Sequence, residues 1–125
     1  MKAYLSHPIR GFAGVHATPA MQRANCDRAK RLAKIIRAIR PDIGLYVPAE
    51  SEDFISRAFD EGYLTIKQIL AIDCQIVTAS DLVIFYNFEG ELSLGMKKEH
   101  DAASVANKQI MIVTDPIDID LILRL

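Results

Sequence analysis

The sequence predicts an α/β sandwich on a parallel sheet of four to five strands, and three observations carry that reading. Leu82-Val83-Ile84-Phe85-Tyr86 is an unbroken apolar run, the pattern of a strand buried on both faces. Residues 108–113 (KQIMIV) form a second such run, and a small-residue turn followed by a helical pattern lies between the two. Strand, turn, helix and strand make a βαβ unit, whose strands are parallel. Strand and helix periods then alternate along the rest of the chain, as they do when helices cover both faces of a parallel sheet. Half of the 125 residues are apolar, a quarter are charged and the net charge is −1. That composition fits a single globular domain spanning residues 1–125, with no global signal for nucleic acid or membrane.

Lys2 to Ser6 reads as the first strand, and His7-Pro8-Ile9-Arg10-Gly11-Phe12-Ala13-Gly14 as the loop leaving its carboxyl end. Pro8 excludes helix at His7. The loop's two glycines let backbone pass close to a ligand. From Pro19 to Arg40, the residues Ala29, Leu32, Ala33, Ile36 and Ile39 repeat with a helical period. Thr18 serves as N-cap and Pro41 ends the helix. Seven basic residues against Asp27 alone line this helix, and without interleaved aromatics they read as a solvated face rather than a nucleic-acid surface.

Ile43 to Val47 is the second strand, stopped by Pro48. Ala49 to Gly62 is acidic and irregular with a short helix inside it, and is read as a connector; a flap over the site is the alternative. Thr65 to Ala79 carries Ile66, Ile69, Leu70, Cys74 and Val77 at helical spacing, with Asp73 one step off that stripe. Asp81 opens the third strand. Residues 114–125 are too apolar for a free tail, and Leu121 to Leu125 are expected to pack on the sheet or on a partner subunit. The order β-α-β-(α)-α-β-α-β describes a flavodoxin-like or Rossmann-like three-layer sandwich with right-handed crossovers.

Cys26 and Cys74 show no metal or redox spacing and read as buried free thiols, which suits a reducing cytoplasm. No apolar stretch approaches a membrane span, and the opening residues read as a strand rather than a signal peptide. The chain has no dinucleotide glycine fingerprint, no P-loop and no nucleophile elbow. His7, His16 and His100 lack metal-ligand spacing, so no metal and no other cofactor is expected.

The positive signals sit at strand ends, where ligands bind in parallel sandwiches. Ser93-Leu94-Gly95 opens a helix whose free amides can hold an anion. Glu99, near the positive end of that helix, is expected to stay ionised. Tyr4 and the loop 7–14 lie at the end of the first strand, and Asp73 lies on the preceding helix. The first and third strands are expected to be neighbours, which lets these groups converge.

Tyr4-Leu5-Ser6-His7-Pro8-Ile9-Arg10-Gly11, then Asp73 with Asp81, then Ser93-Leu94-Gly95 with Glu99, resembles the nucleoside 2-deoxyribosyltransferase superfamily. Within it, the pattern looks most like the 2′-deoxynucleoside 5′-monophosphate N-glycosidases and related short bacterial and phage domains. The likeness covers the first strand with its loop and residues 73 to about 113. It implies that Glu99 is a nucleophile toward the anomeric carbon. Asp73 would bind the sugar hydroxyl or manage the proton of the leaving base, and Tyr4 would orient Glu99. Ser6, His7, Ile9, Arg10 and Gly11 would line the nucleotide pocket, with Ser93 and Gly95 at the 5′ end. It further implies a homodimer or larger assembly. The chain departs from the pattern at His7, where glycine is usual, at the bulky and basic Met96-Lys97-Lys98, and over residues 49–62.

The chemistry is coherent on its own terms. Breaking an N-glycosidic bond builds positive charge on the sugar, which a carboxylate stabilises or traps, while a second acid helps the base leave. The expected function is therefore N-glycosidic hydrolysis of (2′-deoxy)nucleoside 5′-monophosphates through a glycosyl–Glu99 intermediate. The alternatives are base exchange between free deoxynucleosides, a nucleotide-binding sensor without turnover, and a structural partner domain.

Overall fold

The computed structural model describes residues 1–125. Strands β1 (Lys2–Ser6), β2 (Gly44–Tyr46), β3 (Leu82–Tyr86) and β4 (Gln109–Val113) form one sheet in the order β2-β1-β3-β4. Every pairing in it is parallel. Helices α1 (Pro19–Ile39), α2 (Glu52–Asp60), α3 (Ile66–Thr78), α4 (Leu94–Val105) and α5 (Ile119–Leu123) complete the fold. The architecture is the flavodoxin- or Rossmann-like α/β sandwich that the alternating pattern predicts.

Side-chain alternation along the strands divides the core into two layers. Ala3, Leu5, Leu82, Ile84 and Tyr86 point to one face, where they meet Cys26, Ala29, Leu32, Ala33 and Ile36 of α1. Ile122 of α5 is fully buried in that same layer, so the apolar end of the chain packs against the core. Tyr4, Val83 and Phe85 point to the other face and meet Val77 of α3 with Met96 and Ala103 of α4. All five residues of β3 are buried, as its apolar run requires. No helix is long and apolar enough to cross a membrane.

Of the three helix caps, Thr18 is the one the sequence suggests. Thr18 Oγ1 accepts from the Met21 N–H at 3.1 Å. Thr65 and Gln68 form a reciprocal capping box. Ser93 Oγ accepts from the Met96 N–H at 3.4 Å.

Three local expectations are corrected. β2 is shorter than the run 43–47, because Ile43 and Val47 turn into the core beyond its paired residues. Part of the loop after β1 is a 3-10 turn, Gly11–His16, which has no periodic signature. Residues 49–62 do more than connect: a 3-10 turn (Pro48–Ser51) leads into α2, and both lie over the carboxyl end of the sheet.

Candidate functional site

β1 and β3 are neighbours, with Ser6 opposite Phe85. On β1, Tyr4 and Ser6 are two residues apart and share the face turned toward α4. Glu99 is the sixth residue of α4 and points down onto that face. Its side chain is only 6% exposed, and its Oε1 accepts from the Ser6 hydroxyl at 3.1 Å. Tyr4 Oη and Glu99 Oε2 are both buried without an aligned hydrogen-bond partner. They nevertheless stand close enough for phenol and carboxylate to act on each other's titration. Burial holds the Tyr4 hydroxyl well above its ordinary range, and the charges of Glu99 and Asp73 add to the rise.

Burial likewise pushes the Glu99 carboxyl up to about 7; the Tyr4 and Ser6 hydroxyls oppose the shift and the charge of Asp73 reinforces it. This corrects the expectation that Glu99 stays ionised. The dipole's influence is confined to the first turn and is worth ~0.3–1 kcal/mol. Glu99 lies beyond that turn, and desolvation outweighs it.

Asp73, on α3, is half-buried, and desolvation raises its carboxyl to about 6. It lines a cavity of about 40 Å³ with Ile9, Tyr46, Pro48, Glu52, Ile55 and Ile69. That space admits water but is far below the ~300–1,000 Å³ of small-molecule sites. Its roof is α2 together with the turn before it. Glu52, also raised by burial, faces both Asp73 and Arg10, whose charge opposes the rise. No residue of α2 is fully buried, so little apolar area holds this roof down.

The loop after β1 is pinned at three points. The His7 ring lies buried between backbone groups: Nδ1 bonds the Pro8 carbonyl at 3.0 Å, and Nε2 accepts from the Ala49 N–H at 3.1 Å. Both nitrogens are thus committed to holding the loop against the 3-10 turn over Pro48–Ser51. Burial lowers the ring to about 4, so it is neutral at pH 7. The Arg10 guanidinium lies 5.5 Å from the centre of the Phe59 ring of α2. Gly11 adopts φ +62°, and a Cβ there would fall 2.3 Å from a Glu89 carboxylate oxygen. Glu89 Oε2 also accepts from the Phe12 N–H at 3.3 Å, which ties this loop to the one after β3.

Tyr4, Ser6, Asp73 and Glu99 are therefore brought together, with Ile9 and Arg10 around the cavity roof. Ser93 is occupied as the cap of α4. Gly95 faces Leu70, where a Cβ would make only ordinary contact. Neither residue lines the cavity, nor do Tyr4, Ser6 and Glu99; of the site residues the sequence offered, only Ile9 and Asp73 do. Glu52, Ile55 and Glu89 are the participants the sequence reading missed. Half-buried Ile55, Ala58 and Phe59, at i, i+3 and i+4, were the available sign that α2 presses one face onto something. Glu89 had no such sign, because its role depends on two loops meeting. No three His, Cys, Asp or Glu side chains are grouped to hold a metal ion. A scan against protein-family models matches none, and a search of curated proteins returns no relative.

Proposed function

We propose that the protein hydrolyses the base–sugar bond of nucleoside 5′-monophosphates, 2′-deoxy in the first instance, with Glu99 as nucleophile. The observation that carries this reading is a buried carboxylate with one oxygen unpartnered, set between the Tyr4 and Ser6 hydroxyls and within the field of Asp73. An arrangement that raises two carboxyls is costly to the fold, and such sites are characteristically functional.

In this reading Glu99 Oε2 attacks the anomeric carbon as the glycosidic bond breaks, and the electron pair leaves with the base. Asp73, partly protonated near pH 6, supplies the proton to the base. Asp73 then takes a proton from water, which attacks the glycosyl ester and regenerates Glu99. Tyr4 and Ser6 hold the carboxylate in place. Arg10 contributes a positive charge for the 5′-phosphate. The present cavity does not hold a nucleotide, so entry requires α2 to swing outward. Assembly into a homodimer or larger oligomer belongs to the same proposal, and sedimentation velocity tests it.

The direct test is chromatography for free base after incubation with a panel of ribo- and deoxynucleoside 5′-monophosphates. Release from at least one, lost in Glu99→Ala, is the expected result. Full activity in Glu99→Ala, or no release from any nucleotide, ends the hydrolase reading. Binding without release would favour the sensor alternative, to which the closed cavity lends weight.

A further inference from the structure

A second cavity lies elsewhere. It has a volume of about 330 Å³ and is lined by Arg28, Arg31, Tyr86, Asp115 and Ile117. Tyr86 is the last residue of β3 and points to the α1 face, opposite the face of Tyr4 and Val83. Asp115 follows the end of β4. The cavity therefore opens at the same carboxyl edge of the sheet as the Glu99 site, but on the other face.

Its charges are arranged unequally. Asp115 Oδ1 accepts from the Tyr86 hydroxyl at 2.5 Å, and its Oδ2 faces Arg28 Nη1 at 3.2 Å. The Arg28 guanidinium is further fixed 4.8 Å from the centre of the Phe88 ring, which meets Tyr86 edge-on. The single carboxylate is thus committed to Tyr86 and Arg28. Arg31, one helical turn further along α1, makes no ion pair. Both guanidiniums stand near enough to the Tyr86 phenol to oppose the rise in its pKa that burial and Asp115 cause. The cavity wall carries a net positive charge, a pre-oriented Arg28 and a free Arg31 fork.

We propose that this cavity is a second ligand site that takes a small phosphomonoester, its phosphate held by Arg31 and the outer N–H groups of Arg28. Planar guanidinium forks match phosphate oxygens in a bidentate way, which a lone ammonium does not. The volume is at the lower end of small-molecule sites, enough for a sugar phosphate. The proposal does not depend on the glycosidase reading.

Amide chemical-shift titrations of the whole protein at pH 7.5 and constant ionic strength test it, with inorganic phosphate, ribose 5-phosphate and acetate as probes. Shifts are expected at Arg28, Arg31, Tyr86 and Ile117, saturating at lower ribose 5-phosphate than acetate. Arg31→Ala is expected to weaken them at least tenfold, and Arg31→Lys to restore part of the loss. Arg31 is exposed on α1, so both variants fold. Shifts confined to residues 93–96, or unchanged by Arg31→Ala, would overturn the site. No shift at any probe concentration would do the same, and acetate binding as tightly as the phosphates would overturn the ligand class.

Discussion

Glu99 is held at the expense of the fold, and that is measurable. Its carboxyl titrates near 7 in the folded chain against an ordinary 4.5. A raised folded value means stability that is fully present below the unfolded value and lost as pH rises through 7. Glu99→Gln should therefore increase the free energy of urea unfolding at pH 8 by up to ~3 kcal/mol, and change it little at pH 4. A loss of stability at pH 8 would contradict the placement of this side chain. His7 runs the other way. Its ring is lowered from 6.5 to about 4, so its contribution is complete above 6.5 and fades as pH falls toward 4. His7→Ala leaves the buried Ala49 N–H without its acceptor, at a cost of ~1–3 kcal/mol at pH 7. The variant should also lose part of the acid-side decline in stability. Tyr4 and Glu99 were legible in the sequence from their places on the first strand and on the helix after the third, and Ser6 only through the family resemblance. The protonation of Glu99 was not, because desolvation depends on what covers the side chain and a helix period does not report it.

Among the elements, α2 is the one that the proposed reaction requires to move. It roofs the Asp73 cavity yet buries no residue completely, and it meets the loop after β1 through Ile9 and through Arg10, which faces Glu52 and the Phe59 ring. Local opening of so lightly packed a helix should be frequent. Hydrogen exchange is expected to be faster for amides of 52–60 than for α1 or α4, and faster again in Phe59→Ala. Protection of α2 equal to that of α1 would show the roof to be fixed. Helices α1 and α3 could be read from the sequence because their apolar stripes are long, with Thr18 a visible cap for α1, and α4 because it lies between two apolar runs. The turn Gly11–His16 could not, and for residues 49–62 the sequence left connector and flap both open. Short elements carry too few residues for a period, and their positions are set by tertiary contacts such as His7 with Ala49 and Glu89 with Gly11.

Across the whole molecule, the order β2-β1-β3-β4 puts β1 and β3 at the centre and their carboxyl ends side by side. One edge then serves two faces, with Tyr4, Ser6 and Glu99 on the α4 side and Tyr86 with two arginines on the α1 side. The unbroken apolar run of β3 and the alternation along β1 made this topology legible; the second cavity was hidden because Arg28 and Arg31 look like any solvated helix face until Tyr86 and Asp115 are placed beneath them. For the proposed reaction, the two carboxyls near 6 and 7 act as one coupled pair. Glu99 ionised with Asp73 protonated is then the minor tautomer of the singly protonated pair, so kcat/KM should be bell-shaped, highest between the two values and falling on either side. A profile flat from pH 5 to 8 would remove this pair from the chemistry.

The proposed covalent intermediate gives the sharpest test. Rapid acid quench during turnover of a deoxynucleoside 5′-monophosphate, followed by peptide mass spectrometry, should find one deoxyribose phosphate esterified to Glu99 and none in Glu99→Gln. Base release with Glu99 unmodified, or with the sugar phosphate on another residue, would contradict the assignment of Glu99 as nucleophile.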